Sequence, residues 1–119
     1  MSNNGNGKGL CNPMLVLFGE VTRDRLAHIF AEYAPCVIPP SGQISRQTPK
    51  NGSDFSAEEL HTAIDGYIEI IHQQWFPEYL LLCDEDGHAK NLPLNLGFSV
   101  ALQQTIVGPV FVCRTEQVK

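Results

Sequence analysis

No apolar run in this 119-residue chain approaches the ~20 residues that a bilayer-crossing helix needs, so no membrane association is expected. Positive charge is scarce. Eight Lys and Arg stand against 13 Asp and Glu, for a net charge of −5. Nucleic acid is therefore an unexpected partner, because a groove that tracks phosphates needs a basic patch. No C-x-x-C spacing joins Cys11, Cys36, Cys83 and Cys113, which leaves out the common zinc and redox motifs. Cys83 and Cys113 sit inside apolar runs, where a free cysteine behaves as a small hydrophobe. No glycine-rich phosphate loop and no internal repeat is present. Met1–Gly9 is polar and glycine-rich, unlike a secretory leader, and a cytoplasmic location with reduced thiols is expected. What remains is 43% hydrophobic and only 18% charged, enough for one well-buried domain.

The chain is organised around Phe55–Cys83. Ser56 and Glu59 have capping-box spacing, and Phe55 with Leu60 has that of a hydrophobic staple. Ala57, Leu60, Ala63 and Ile64 recur at helical intervals. Gly66 follows at once, and glycine suits the left-handed position that closes a helix. Tyr67–Ile71 then turns aromatic and β-branched, as a strand. Tyr79–Cys83 is apolar on both faces, which predicts an inner strand. Asp84-Glu85-Asp86-Gly87 ends it as a polar turn.

Residues 1–12 are too polar to pack and are expected to be a disordered tail. Residues 13–35 read as an extension, with a strand at Met14–Phe18 and a helix capped by Thr22. Leu26, Ile29, Phe30 and Tyr33 mark that helix's buried side, Asp24 lies in its first turn, and Pro35 ends it. Cys36–Ile38 is a short strand, and Gln43–Asp54 a long loop or weak hairpin. His88–Lys90 reads as a short return strand. Asn95 is placed to cap a helix whose Phe98, Ala101 and Leu102 face inward. Thr105–Val107 and Val110–Cys113 are strand-like and separated by Gly108-Pro109. Residues 114–119 form a polar tail. The core domain spans residues 36–113. Helices and strands mix without a βαβ rhythm, so the expected fold is α+β: a small mixed or antiparallel sheet packed by two to three helices in a single domain.

Three pieces in order carry a resemblance: Phe55-Ser56-Ala57-Glu58-Glu59-Leu60 leading into Gly66-Tyr67-Ile68-Glu69; the Asp84–Gly87 turn leading into Leu92-Pro93-Leu94-Asn95; and Ile106-Val107-Gly108-Pro109-Val110. Together they resemble the domain-of-unknown-function family numbered 3846, over about Cys36 to Cys113. Pro109 stands where relatives more often have a polar residue. The resemblance implies a small protein of bacteria, phages and other mobile elements. It implies no catalytic residue.

His61 and Asp65, four apart, share a helix face. With Glu69 and His72 nearby they suggest a metal site or an acid/base pair, and with either Glu69 or His88 they would serve a small metal-dependent hydrolase, the alternative reading. Against it, the helix's buried stripe is elsewhere, and strand alternation sends Glu69 and His72 to opposite faces. The acidic turn lacks the spaced ligands of a calcium loop. Trp75 and Tyr79, beside Pro77, are candidate anchors for a partner, since both residue types concentrate at interface hot spots. Pro93, Asn95 and Gly97 surround an expected helix N-terminus, which suits a small anionic ligand. No convergent catalytic set and no cofactor fingerprint is found. The favoured reading is a non-enzymatic binding module whose partner is a protein or a small anion, with a host-defence component as one candidate.

Overall fold

Pro13 is the first described residue and lies in the first helix. The computed structural model describes residues 13–118, with side chains from residue 19 onward. The expected tail at residues 1–12, with Cys11, lies outside the described residues. In chain order the elements are α1 (Pro13–Tyr33), β1 (Cys36–Ile38), β2 (Ser45–Arg46), α2 (Ala57–Ile64), β3 (Ile68–Ile70), β4 (Tyr79–Asp84), α3 (Leu96–Leu102), β5 (Val110–Arg114) and a 3-10 turn at Thr115–Gln117. The strands form one antiparallel sheet in the order β2-β1-β5-β4-β3. The fold is α+β in a single domain.

Side-chain alternation along the inner strands divides the core in two. Cys36, Ile38, Leu81, Val110 and Val112 share a cluster with Leu26 and Phe30 of α1 and Phe98, Ala101 and Leu102 of α3. Val37, Leu82, Phe111 and Cys113 share the other with Phe55, Leu60 and Ile64 at α2. The sheet is thus covered by α1 and α3 on one face and by α2 on the other. β4 is an inner strand between β5 and β3, as its continuous apolar run predicts.

The capping box of α2 forms as expected. Glu59 N donates to Ser56 Oγ at 3.2 Å, and Ser56 N donates to Glu59 Oε1 at 2.9 Å. Phe55 and Leu60 are both buried beside it. The end of the helix differs from expectation. Asp65, not Gly66, takes the left-handed conformation (φ 64°), and its N–H donates to the His61 carbonyl at 2.8 Å. Gly66 is required for room instead. A Cβ there would lie 2.7 Å from Asp84 Oδ2 and 2.9 Å from Lys90 Nζ.

Other expectations are corrected. Met14–Phe18 is helical and continuous with the rest of α1, so this segment is not a strand, and Thr22 and Asp24 lie mid-helix. A five-residue apolar run does not distinguish a strand from a helix segment. Gly19 does not break α1. It brings the helix close to α3, where a Cβ would sit 3.5 Å from the Val100 carbonyl and 3.1 Å from Arg23 Nη1. His88–Lys90 is not a strand. The buried Asp84 carboxylate accepts from Asp86 N at 2.8 Å and from Lys90 Nζ at 2.6 Å, folding the segment back in turns. Thr105–Val107 contributes only an isolated bridge, Leu94 to Val107. The Gln43–Asp54 region does hold a hairpin strand, with Cys36 opposite Arg46. Beyond Arg114, Val118 bridges to Phe55, and Phe55 N donates to the Gln117 carbonyl at 2.7 Å.

Candidate functional site

One face of α1 that takes no part in its buried stripe carries Glu20, Arg23, Asp24 and Ala27, at i, i+3, i+4 and i+7. Across from it stand Trp75, Phe76, Glu78, Tyr79 and Arg114. Together they line an open groove of about 560 Å³.

The floor of the groove is set by local chemistry. Gln73 clamps the turn that leads into β4. Its Oε1 accepts from Phe76 N at 2.7 Å, and its Nε2 donates to the Phe76 carbonyl at 3.1 Å. The clamp turns Phe76 inward, onto Phe30 (ring centroids 4.9 Å apart), and leaves Trp75 at the surface, 38% exposed. Tyr79, at the start of β4, also packs on Phe30, at 5.2 Å. Arg114 is the cross-strand partner of Tyr79, and its guanidinium lies 5.6 Å from the ring centroid. Arg23 stacks 3.9 Å over Trp75 and donates to the Ala101 carbonyl at 2.8 Å, at the C-terminal end of α3. Trp75 also borders a second depression of about 420 Å³, with His72, Gln74 and Gln103. The indole is therefore a ridge between two hollows.

The structure brings Trp75 and Tyr79 into this one groove. Pro93, Asn95 and Gly97 do not line it. Asn95 precedes α3 but makes no side-chain cap. It is buried, and its Nδ2 donates to the Ile38 carbonyl at 3.0 Å and the Gly108 carbonyl at 2.9 Å. The amide ties β1 to the turn before β5, which corrects its expected capping role. Gly97 is exposed, with nothing near the position a Cβ would occupy.

His61 stands edge-on to Tyr67, with ring centroids 5.2 Å apart, and Asp65 is the left-handed residue that ends α2. Among the described residues, no three His, Cys, Asp or Glu side chains gather as a metal-holding group. Glu69, His72 and His88 instead line a separate cleft of about 290 Å³ with Cys83 and Gln104. Strand alternation predicts Glu69 and His72 on opposite faces, yet both line this cleft. β3 ends at Ile70, so strand alternation no longer governs His72. Burial pushes the Cys36 and Cys83 thiols up to about 11 and that of Cys113 to about 12. All three stay protonated at neutral pH, the inert condition for cysteine. A cleft of about 540 Å³ beside α2 includes Ser56 and Glu59, whose polar atoms are engaged in the capping box and in accepting Lys50 N at 2.9 Å.

Of the groove's lining, the sequence points to Trp75 and Tyr79 but not to Glu20, Arg23, Asp24, Ala27, Glu78 or Arg114. The helical repeat of Glu20, Arg23, Asp24 and Ala27 is a legible signal for the four on α1. Arg114 depends on strand register, which no local pattern reveals.

Among the described residues, no helix is long and apolar enough to cross a membrane. The family described as Domain of unknown function (DUF3846) matches residues 37–118. No curated protein and no solved structure matches the chain. The matched segment includes Trp75, Tyr79 and Arg114, while α1, the other wall of the groove, precedes it.

Proposed function

The chain belongs to the DUF3846 family, a membership that brings no activity with it, and we propose that the protein is a non-enzymatic binding module that docks a partner protein in the groove between α1 and the Gln73–Tyr79 turn. The observation that carries this reading is the meeting of Trp75, Tyr79, Arg23 and Arg114 around one open groove. Trp, Tyr and Arg are the residue types most enriched at interface hot spots. Trp75 is exposed enough to be covered by a partner, and its position is held by the Gln73 clamp and by Arg23. Such rigidity lowers the ordering cost of association.

The setting proposed is the cytoplasm of a bacterium carrying a phage or other mobile element, with a host protein, such as a component of a defence system, as the partner. The family resemblance supports that setting. The test is a photo-crosslinking amino acid placed at Ala27, on the groove wall, or at Thr62, on the exposed side of α2. The expected result is one defined crosslinked protein from Ala27 and none from Thr62. Equal labelling from both positions, or from neither, overturns the reading.

A further inference from the structure

The charge around the groove indicates what kind of segment it takes. Glu20, Asp24 and Glu78 line it and are exposed. Among the described residues, none of their carboxylates has a salt-bridge or hydrogen-bond partner. The two cations beside them are already engaged. Arg23 is stacked on Trp75 and bonded to the Ala101 carbonyl. Arg114 pairs with Glu116 at 3.3 Å while covering Tyr79. The lining therefore sets three unpaired carboxylates against two guanidinium groups that are already engaged, around an aromatic floor.

We propose that the groove docks a Lys- or Arg-bearing segment of the partner protein. The aliphatic stems of the basic side chains lie along the parts of Trp75 and Tyr79 that Arg23 and Arg114 leave open, and their head groups meet Glu20, Asp24 and Glu78. Long basic side chains suit such a surface because the stem covers apolar area while the charge stays at the wet rim. At about 560 Å³ the groove falls within the ~300–1,000 Å³ range of ligand clefts. The same charges disfavour an acidic segment, since like charges brought together at an interface are penalised. Two of the three carboxylates come from α1, outside the family-matched segment. The preference for a basic segment would thus be particular to chains that carry this helix. The inference rests on the reading of the groove as a docking surface.

The test is selection of binders to the full chain from a displayed library of unstructured peptides, balanced in acidic and basic residues. Selected peptides are labelled and titrated by fluorescence anisotropy. Basic sequences are expected to be enriched. Their affinity should fall at least about tenfold in the Glu20→Gln/Asp24→Asn/Glu78→Gln variant, and fall again as salt is raised from about 0.05 to 0.5 M. The three carboxylates are exposed and bear no structural contact, so circular dichroism of that variant should match the parent. Acidic or uncharged peptides that lose binding in Trp75→Ala would overturn the charge assignment and leave the groove standing. Peptides of any charge that bind Trp75→Ala and Tyr79→Ala as tightly as the parent would overturn both. A library from which nothing is enriched would do the same.

Discussion

Arg23 lies with its guanidinium 3.9 Å above the Trp75 ring, and from there its Nη1 reaches the Ala101 carbonyl at 2.8 Å. One side chain thereby links α1 to the end of α3 and to the surface indole. Its charge suits an orphaned helix-terminal carbonyl, and its plane suits an aromatic face. The same side chain holds two walls of the groove in register.

Replacing it should loosen both. Arg23→Met is expected to lower stability by about 1–3 kcal/mol, the combined worth of a stacked cation and a charge-assisted hydrogen bond. Trp75 is the only tryptophan, so its emission reports directly on the site. It should shift to the red and become more accessible to acrylamide. Arg23→Lys should restore the charge without the planar stack and recover only part of the effect. Urea denaturation and quenching measure the two outcomes.

The Asp84–Lys90 pair sets the behaviour in acid. Burial works to raise the Asp84 carboxyl, but donation from Lys90 Nζ and Asp86 N outweighs it and holds the group below its ordinary value. A carboxyl lowered in the folded state stabilises the fold above its unfolded pKa of about 3.9, and that contribution is lost as pH falls through the folded value. Lys90 is raised, chiefly by its hydrogen bond to Asp84, so its contribution persists below the unfolded lysine value of about 10.4. The pair should therefore be fully effective between about pH 4 and 10. Asp84→Asn should cost about 1–3 kcal/mol at pH 7 and flatten the acid limb of stability against pH. An unchanged acid limb would show that other carboxylates govern it.

Gly66→Ala tests the same place sterically. The new methyl would sit 2.7 Å from Asp84 Oδ2, where overpacking typically costs about 1–3 kcal/mol. Because it disturbs the ion pair itself, its cost should be well below additive with that of Asp84→Asn. A double-mutant cycle by chemical denaturation gives the coupling directly. Full additivity would mean that Gly66 is needed for another reason.

Asn95 separates stability from binding. Asn95→Ala leaves the Ile38 and Gly108 carbonyls without their side-chain donor and should cost about 2–3 kcal/mol. Asn95→Asp should cost more, because it aims an acceptor at two acceptors. Neither should alter Trp75 emission or the affinity of a groove ligand in protein that remains folded.

Much of this architecture was legible locally. The capping box at Ser56 and Glu59 and the apolar triplet Leu80-Leu81-Leu82 imply a capped helix and an inner strand because each depends on near neighbours. Local pattern is silent where distant groups decide the outcome. Gly66 resembles a left-handed helix stop, yet its role comes from Asp84 and Lys90, 18 and 24 positions along the chain. Asn95 resembles a cap, yet its amide is recruited by the carbonyls of Ile38 and Gly108. Met14–Phe18 favours strand and helix about equally, and the backbone continues as helix. Of the groove, Trp75 and Tyr79 could be singled out by residue type. Their convergence with α1 required the packing of Phe30 against Phe76 and Tyr79.

The most direct test of the docking groove is the affinity of one identified partner for the parent chain and for Trp75→Ala and Tyr79→Ala, each first shown to melt cooperatively. A loss of at least about 2 kcal/mol, roughly thirtyfold in Kd, is expected for Trp75→Ala if the indole is a hot spot, with a smaller loss for Tyr79→Ala. Affinities unchanged in both variants would contradict the account.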